Sequence, residues 1–463
     1  VSRTRRRFPN SPAALAAAAL ITLWAAPARA DDESLRRQVE DLSRRMQEME
    51  ARHQREMEEL RRSVAPAAPE RPSALQEQID RLTDEMDSLR TKLPAQSAAR
   101  GPFRLVDLSL NALMAGGWST DDDDTIQALQ AGGHDPHKRG FTLQNVELIL
   151  SGAVDPHFTA QANLIALIDA EGETQVELEE AWAQTSSMPW GLQAKAGQFY
   201  APFGRHNLSH PHQWDFVDIP VVSGRFLGPD GMRGPGAQLS WLGTDVPLEL
   251  TAALQNANGE TMTSFLGTDE EEPPAGSHAG RVVRSPDDLV ATGRAAVSFD
   301  ATDEIPILFG ASLAHGPSGA SSDDGSTTLT GLDFTAKWRP LDAHAGFPFV
   351  SFRTEWIGRE YDFDDAGGRS TLDDSGWYAQ TTWGFVRDWT LGARYDSFSG
   401  EHDDVPGLDD RTRWSLALTH FTSEFAKIRL QVNHDDARSL DDRVTSVWLQ
   451  IEFNLGQHGA HRF

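Results

Sequence analysis

The sequence predicts an all-β transmembrane antiparallel β-barrel of about 16 strands preceded by an α-helical coiled-coil segment. Three observations carry that fold class: strict two-residue alternation near the C-terminus, recurrence of similar segments between polar turns from residue 102 onward, and heptad spacing before residue 94. In the run 447–455, Val447, Leu449, Ile451, Phe453 and Leu455 fall on one face, and Trp448, Gln450, Glu452 and Asn454 on the other. Only an extended strand sorts such a period into an apolar and a polar side. Phe463 keeps the apolar parity, and a closing strand with a final aromatic suits recognition by barrel assembly machinery.

The chain has 463 residues, a net charge of -27 and no cysteine, which excludes disulfides and thiolate metal sites. Beyond the N-terminus no run of about 18 apolar residues occurs, so membrane-spanning helices are not expected. Barrel strands alternate and escape that criterion. At the N-terminus, Arg3, Arg5, Arg6 and Arg7 precede an apolar segment from Ala13 to Ala26 and then Ala28-Arg29-Ala30. That order reads as a signal peptide over 1–30, with cleavage after Ala30.

Residues 31–93 are expected to form a periplasmic coiled coil. Leu35, Val39, Leu42, Met46 and Met49, then Leu75, Ile79, Leu82, Met86, Leu89 and Leu93, step by three and four around a Pro-rich break at 64–72. His53 is read as a tolerated polar seam residue. The coiled coil implies a homo-oligomer, a trimer. A linker over 94–101 leads to the barrel, 102–463.

Candidate strands lie near 103–115, 141–154, 157–169, 175–186, 191–200, 236–243, 247–256, 292–300, 306–315, 328–339, 349–360, 376–386, 389–398, 412–421, 425–434 and 444–455. Ile428, Leu430 and Val432 oppose Arg429, Gln431 and Asn433, and Phe334, Ala336 and Trp338 oppose Asp333, Thr335 and Lys337. One side suits lipid and the other water. Trp338, Trp356, Trp377, Tyr378, Trp383, Trp389 and Trp414 gather near strand ends, as interfacial girdles require. Long polar connections (119–139, 256–288, 316–327, 402–411) contrast with short turns such as Gly172-Glu173 and Arg387-Asp388.

No phosphate-binding loop, dinucleotide glycine pattern, H-E-x-x-H or G-x-S-x-G occurs, so no enzyme is expected. A hydrolase using His206 and Ser209 is the weakest alternative. Asp121 to Asp124 and Asp269 to Glu272 read as solvated loop tips with at most weak Ca²⁺ affinity.

The richest stretch runs from Gly197 to Pro220 and on to Arg225: it holds His206, His210, His212, Asp215 and Asp218, broken by Gly and Pro. Three readings stand: a loop folded into the lumen and constricting it, a loop that contacts a metal, or an ordinary loop. Imidazoles beside carboxylates suit Zn²⁺, and His458 and His461 add two more candidate ligands. Glu177 and Glu179 share a strand face and are expected to line the pore, paired with basic residues such as Lys195. Arg225 is a further lining candidate. Glu180 has the wrong parity, which implies a bend or an interface.

The stretches Gly172 to Trp182, Lys195 to Phe199, His210 to Phe216 with Arg225 to Gly228, Ser423 to Gln431 and His458 to Phe463 resemble a family of proteobacterial outer-membrane proteins labelled zinc-regulated TonB-dependent outer membrane receptors. More distantly, the coiled coil joined to a barrel is similar to the phosphate-selective porin O/P family. The first resemblance implies an outer-membrane barrel tied to zinc, with His210, His212, Asp215, His458 and His461 matching its pattern. A gated receptor carries about 22 strands around a plug. The residues after about 100 are too few for both, so the implied form is plug-less and porin-like.

The functional expectation is an outer-membrane, porin-like channel for small solutes or ions, set in lipid and linked to zinc uptake. A zinc-binding receptor is the alternative. No cofactor is required and no nucleic acid is expected as partner. The acidic composition predicts a lumen that favours cations.

Overall fold

A computed structural model describes residues 106–169, 172–243, 246–268, 273–322, 324–399, 410–440 and 442–456. Sixteen antiparallel strands close into one barrel in simple up-and-down order. They are β1 (Asp107–Ser119), β2 (Gly140–Ala153), β3 (Phe158–Ile168), β4 (Thr174–Thr185), β5 (Leu192–Tyr200), β6 (Arg233–Leu242), β7 (Leu248–Asn256) and β8 (Leu289–Thr302). The second half comprises β9 (Ile305–Pro317), β10 (Ser326–Trp338), β11 (Phe349–Asp365), β12 (Gly368–Val386), β13 (Trp389–Ser399), β14 (Arg411–Ser423), β15 (Ala426–Ala437) and β16 (Val444–Gly456).

Alternation decides which face meets which medium. On β15, Leu430 is 45% exposed while its neighbours Arg429 and Gln431 are 2% and 0% exposed. The register sets Leu418, Leu430 and Leu449 side by side across β14, β15 and β16, in one apolar row around the outside. The same register lines up Ala417, Gln431 and Trp448 within. An apolar exterior over a polar interior is the arrangement lipid demands, and a closed sheet leaves no strand edge unpaired.

Ring closure joins β1 to β16, where Gly117 faces Trp448. A Cβ at Gly117 would stand 2.1 Å from Trp448 Cε3, so only glycine lets the indole lie flat against the seam. Trp338, Trp356, Trp377, Trp383, Trp389 and Trp414 are exposed on the outer face. Tyr378 leaves this group: it is buried inside and donates to Glu355 Oε1 at 2.7 Å.

The expected fold class needs one correction. Among the described residues the only α-helices are two short ones, α1 (Asp123–Leu129) and α2 (Val221–Leu227), both in connections of the barrel. Over the described residues the fold is therefore the closed barrel alone, with no coiled-coil helix among them; the heptad residues, like the signal peptide, lie outside the described residues. The likeness to TonB-dependent receptors is corrected too, because the sheet closes with 16 strands. Among the described residues, the barrel is entered by its own connections, mainly 201–232, with Leu129 and Gln130 of the β1–β2 connection meeting the inward Arg413.

The longest connections, 120–139, 201–232 and 257–288, lie at one end of the barrel, where odd strands pass to even ones; the 339–348 connection lies at the other. Gly172-Glu173 belongs to the odd-to-even end as well, and the turn Arg387-Asp388 to the other. The parity problem at Glu180 is resolved by a β-bulge. The β3–β4 register pairs Asn163 with Glu180 and Leu164 with Leu178, leaving Glu179 as the extra residue. Both glutamates then turn inward, at 0% and 6% exposure.

Charge on the outer face tests this orientation. Leu430→Arg is expected to destabilise the folded barrel by about 2–4 kcal/mol in vesicles, and Leu455→Arg, at the end of its strand, by about 0–1 kcal/mol. Equilibrium unfolding in lipid vesicles measures both; equal losses would mean that Leu430 does not face the membrane's mid-plane.

Candidate functional site

The connection between β5 and β6, residues 201–232, folds into the barrel. Pro202, Gly204, Pro211 and Pro220 break it into short turns at His206–Leu208 and Pro211–Gln213 before α2 begins after Pro220. Val221, Val222, Phe226 and Leu227 of α2 form an apolar core with Phe203, Met262, Phe265, Val290, Leu329 and Phe398. Gly331 makes room for Phe203, whose Cζ would lie 2.8 Å from a Cβ there.

A second set of contacts fixes the loop by charge. Asp218 Oδ1 accepts from Arg394 Nη2 at 2.6 Å and Gln431 Nε2 at 2.9 Å. Its Oδ2 accepts from Asn433 Nδ2 at 2.6 Å and Arg413 Nη1 at 3.1 Å. Burial alone would raise the Asp218 pKa, but Arg394 and Arg413 outweigh it and hold the carboxyl below its ordinary value. Arg429 donates to the carbonyls of Trp214 and Phe216 at 2.7 and 2.9 Å, and Lys427 to that of His212 at 2.9 Å. On β11, Glu355 accepts from the backbone N–H of Arg205 and His206 at 3.0 and 2.7 Å.

The loop reaches most of the circumference. Inward side chains are buried at Asn163 on β3, Glu179 on β4, Phe199 on β5, Gln255 on β7, Ser312 on β9, Glu355 on β11, Arg394 on β13 and Gln431 on β15. At the level of the loop the lumen is packed rather than lined with water.

The opposite end of the loop meets a carboxylate cluster. His210 Nδ1 lies 2.8 Å from Glu179 Oε2 and 3.3 Å from Glu147 Oε1, and His210 Nε2 lies 3.4 Å from Glu180 Oε2. His212 Nδ1 is 2.8 Å from Glu147 Oε2, and the two imidazoles stack with centroids 5.7 Å apart. Tyr200 donates to Glu179 Oε1 at 2.6 Å and Asn163 to Glu147 Oε1 at 3.0 Å. Burial alone would lower the His210 pKa, but Glu179 and Glu147 raise it well above the ordinary imidazole value. Ligand atoms of Glu147, Glu179 and His210 all lie within 4.8 Å of one another, so this buried group can coordinate a metal ion.

The structure thus brings His210 and His212 together, but not with the other candidate ligands. Asp215 accepts from Gln380 Nε2 at 3.1 Å. His206 stacks near Trp214 with centroids 5.6 Å apart, and burial pushes its pKa well down. Ser209 donates to the His206 carbonyl at 2.5 Å and not to an imidazole. His458 and His461 lie outside the described residues.

Glu177 pairs with Arg233 at 2.6 Å, not with Lys195, whose ammonium sits 4.6 Å over the Trp182 ring. The bulge explains the exchange, since Lys195 stands opposite Gln184 and far along the strand from Glu177. Arg225 pairs with Asp374 at 3.0 Å. Sequence reasoning missed Glu147, Asp218, Arg394, Arg413 and Arg429. The available signal was parity: each arginine and Glu147 interrupts a strand on the inward register.

Comparison with known proteins adds the following. No protein-family model matches the chain. The outer membrane channel DcaP of Acinetobacter baumannii is similar in structure, with a TM-score of 0.51 and 11% identity, over 76% of this chain and 97% of that one. An anion-selective porin from Comamonas acidovorans gives 0.49 and 9% over 76% and 99%. The likeness to DcaP concerns the fold alone, and the 16-stranded closure here differs from the arrangement of a TonB-dependent receptor, about 22 strands around a plug. In sequence, a protein of Aquifex aeolicus (strain VF5) named "Uncharacterized protein" is 32% identical over 357 residues, which cover 72% of this chain and 73% of its own. The chain belongs to the family of that Aquifex aeolicus protein.

Proposed function

We propose that this protein is an outer-membrane channel for the diffusion of small solutes, with the 201–232 connection as its constriction. The observation that carries the reading is a closed barrel, apolar outside and polar within, crossed by a loop that its inner wall is built to hold. Arg394, Arg413 and Arg429 serve that hold, so their charge is largely neutralised by Asp218 and loop carbonyls. The inward ionisable groups that keep partial exposure around the loop include Lys195, Arg205, Arg294, Lys337 and Arg353, against Asp215 and Glu177. Arg205, Arg294 and Arg353 feel one another's charge, as do Lys337 and Asp215. Arg294 is paired with Asp333 and Glu177 with Arg233, so the balance around the loop rests on Lys195, Arg205, Lys337 and Arg353 against Asp215, and small anions are favoured there.

A second reading rests on the Glu147–Glu179–His210 group: the lumen binds Zn²⁺, an ion suited to mixed imidazole and carboxylate ligands.

Three measurements test these readings. In planar bilayers the purified protein is expected to give discrete channel events with a reversal potential favouring Cl⁻ over K⁺, and Arg353→Glu to reduce that preference; membranes that stay closed would remove the channel reading. Asp218→Ala, which leaves Arg394 and Arg413 without their carboxylate, is expected to raise conductance and open-channel noise severalfold. Calorimetry is expected to detect Zn²⁺ binding to the wild type and at least about tenfold weaker binding to Glu179→Gln.

A further inference from the structure

The loop is held to two stretches of the wall, β13–β15 and β2–β4, by two different chemistries. At the basic wall, Asp218 uses both carboxylate oxygens on four donors. At the acidic wall, Glu147, Glu179 and Glu180 are all buried around two imidazoles. Arg233 is the nearby guanidinium, and its closest contact is Glu177 at 2.6 Å, against 3.7 Å to Glu179. Buried carboxylates need compensating positive charge. Three of them share that arginine and the two imidazoles, and a divalent ion bound there would supply compensation of the same sign.

The geometry points to one divalent transition-metal ion bound among Glu147, Glu179 and His210, fastening the inward loop to the β2–β4 wall; this rests on the reading that the cluster binds Zn²⁺. The ligands come from three separate stretches of chain: β2 supplies Glu147, the β4 bulge supplies Glu179, and the loop supplies His210. An ion bridging them ties the loop to two strands at once. Spacings of 2.8 and 3.3 Å from His210 Nδ1 to Glu179 Oε2 and Glu147 Oε1 are near the roughly 3.4 Å edge of a tetrahedral site with bonds of about 2.1 Å, so little movement is needed to close around an ion. Tyr200 already holds the outer oxygen of Glu179, as supporting partners of metal ligands do, and Asn163 orients Glu147 through Oε1. Imidazole nitrogen in the set selects a zinc-like ion over Ca²⁺ or Mg²⁺. The ion is then a fastening of the constriction and not the solute that passes it.

The test uses the full-length folded protein in bilayers and in detergent, with zinc chloride and EDTA as probes. Zn²⁺ is expected to lower open-channel noise and conductance at least twofold, EDTA to reverse this, and Glu147→Gln to abolish the response. Asp218→Asn keeps every proposed ligand while loosening the hold at β13–β15, so it should be noisier than wild type without Zn²⁺ and be quieted by it. That variant keeps the idea open to refutation if Glu147→Gln does not assemble. Calorimetric Zn²⁺ binding with unchanged conductance and noise in both wild type and Asp218→Asn would overturn the fastening while leaving the metal site intact. No calorimetric binding at all would overturn both.

Discussion

A strand in lipid has no water to satisfy its N–H and C=O groups, and the closure of β1 onto β16 meets that demand for the whole sheet. Everything else in the molecule follows from it. Once the sheet is a ring, alternate residues must divide between hydrocarbon and lumen. Leu418, Leu430 and Leu449 therefore stand outside while Arg429, Gln431 and Trp448 stand inside. The seam itself depends on a glycine, Gly117, which lets the Trp448 ring cover the last pairing from within.

Closure also creates a space that a hydrophobic core cannot fill from the wall alone, because the inward positions are polar. The 201–232 connection supplies the missing contents. Its apolar part, α2 with Phe203, builds a small core against Val290, Leu329 and Phe398. Its polar part exposes carbonyls and Asp218 to a row of guanidiniums on β13, β14 and β15. Wall and loop are thus complementary: the arginines would be costly without the loop, and the loop's backbone would be unsatisfied without the arginines.

Much of the barrel was legible in the sequence because lipid imposes a two-residue period that survives in composition. Each of the 16 segments read from alternation corresponds to a strand of the structure. The largest misses were at the long-loop end, where β11 runs on to Asp365 and β12 starts at Gly368. Residues such as Ser370, Thr371, Asp373 and Asp374 are polar on both faces there, so no alternation marks them. The site was less legible. His210 and His212 stood out by type, but their partners come from strands 31 or more residues away, and Glu147 carried no local mark beyond its parity. Asp215 was a natural third ligand by proximity in sequence; the turn at Pro211–Gln213 carries it to Gln380 instead.

The extra residue in β4 has a consequence for how this chain can vary in descent. A strand of fixed parity tolerates length changes only in pairs, since one residue more or less sends its remaining side chains through to the other surface. At Glu179 the odd residue is already absorbed by the local backbone, and Trp182 and Gln184 keep their inward direction because of it. Loss of that single codon would remove the bulge and leave Glu180, Trp182 and Gln184 facing inward as before, whereas loss of any other single residue of the strand would not. In aligning relatives, a one-residue gap within 174–185 therefore belongs at Glu179, and a homologue lacking it would keep the same order of inward and outward residues on both sides of that point.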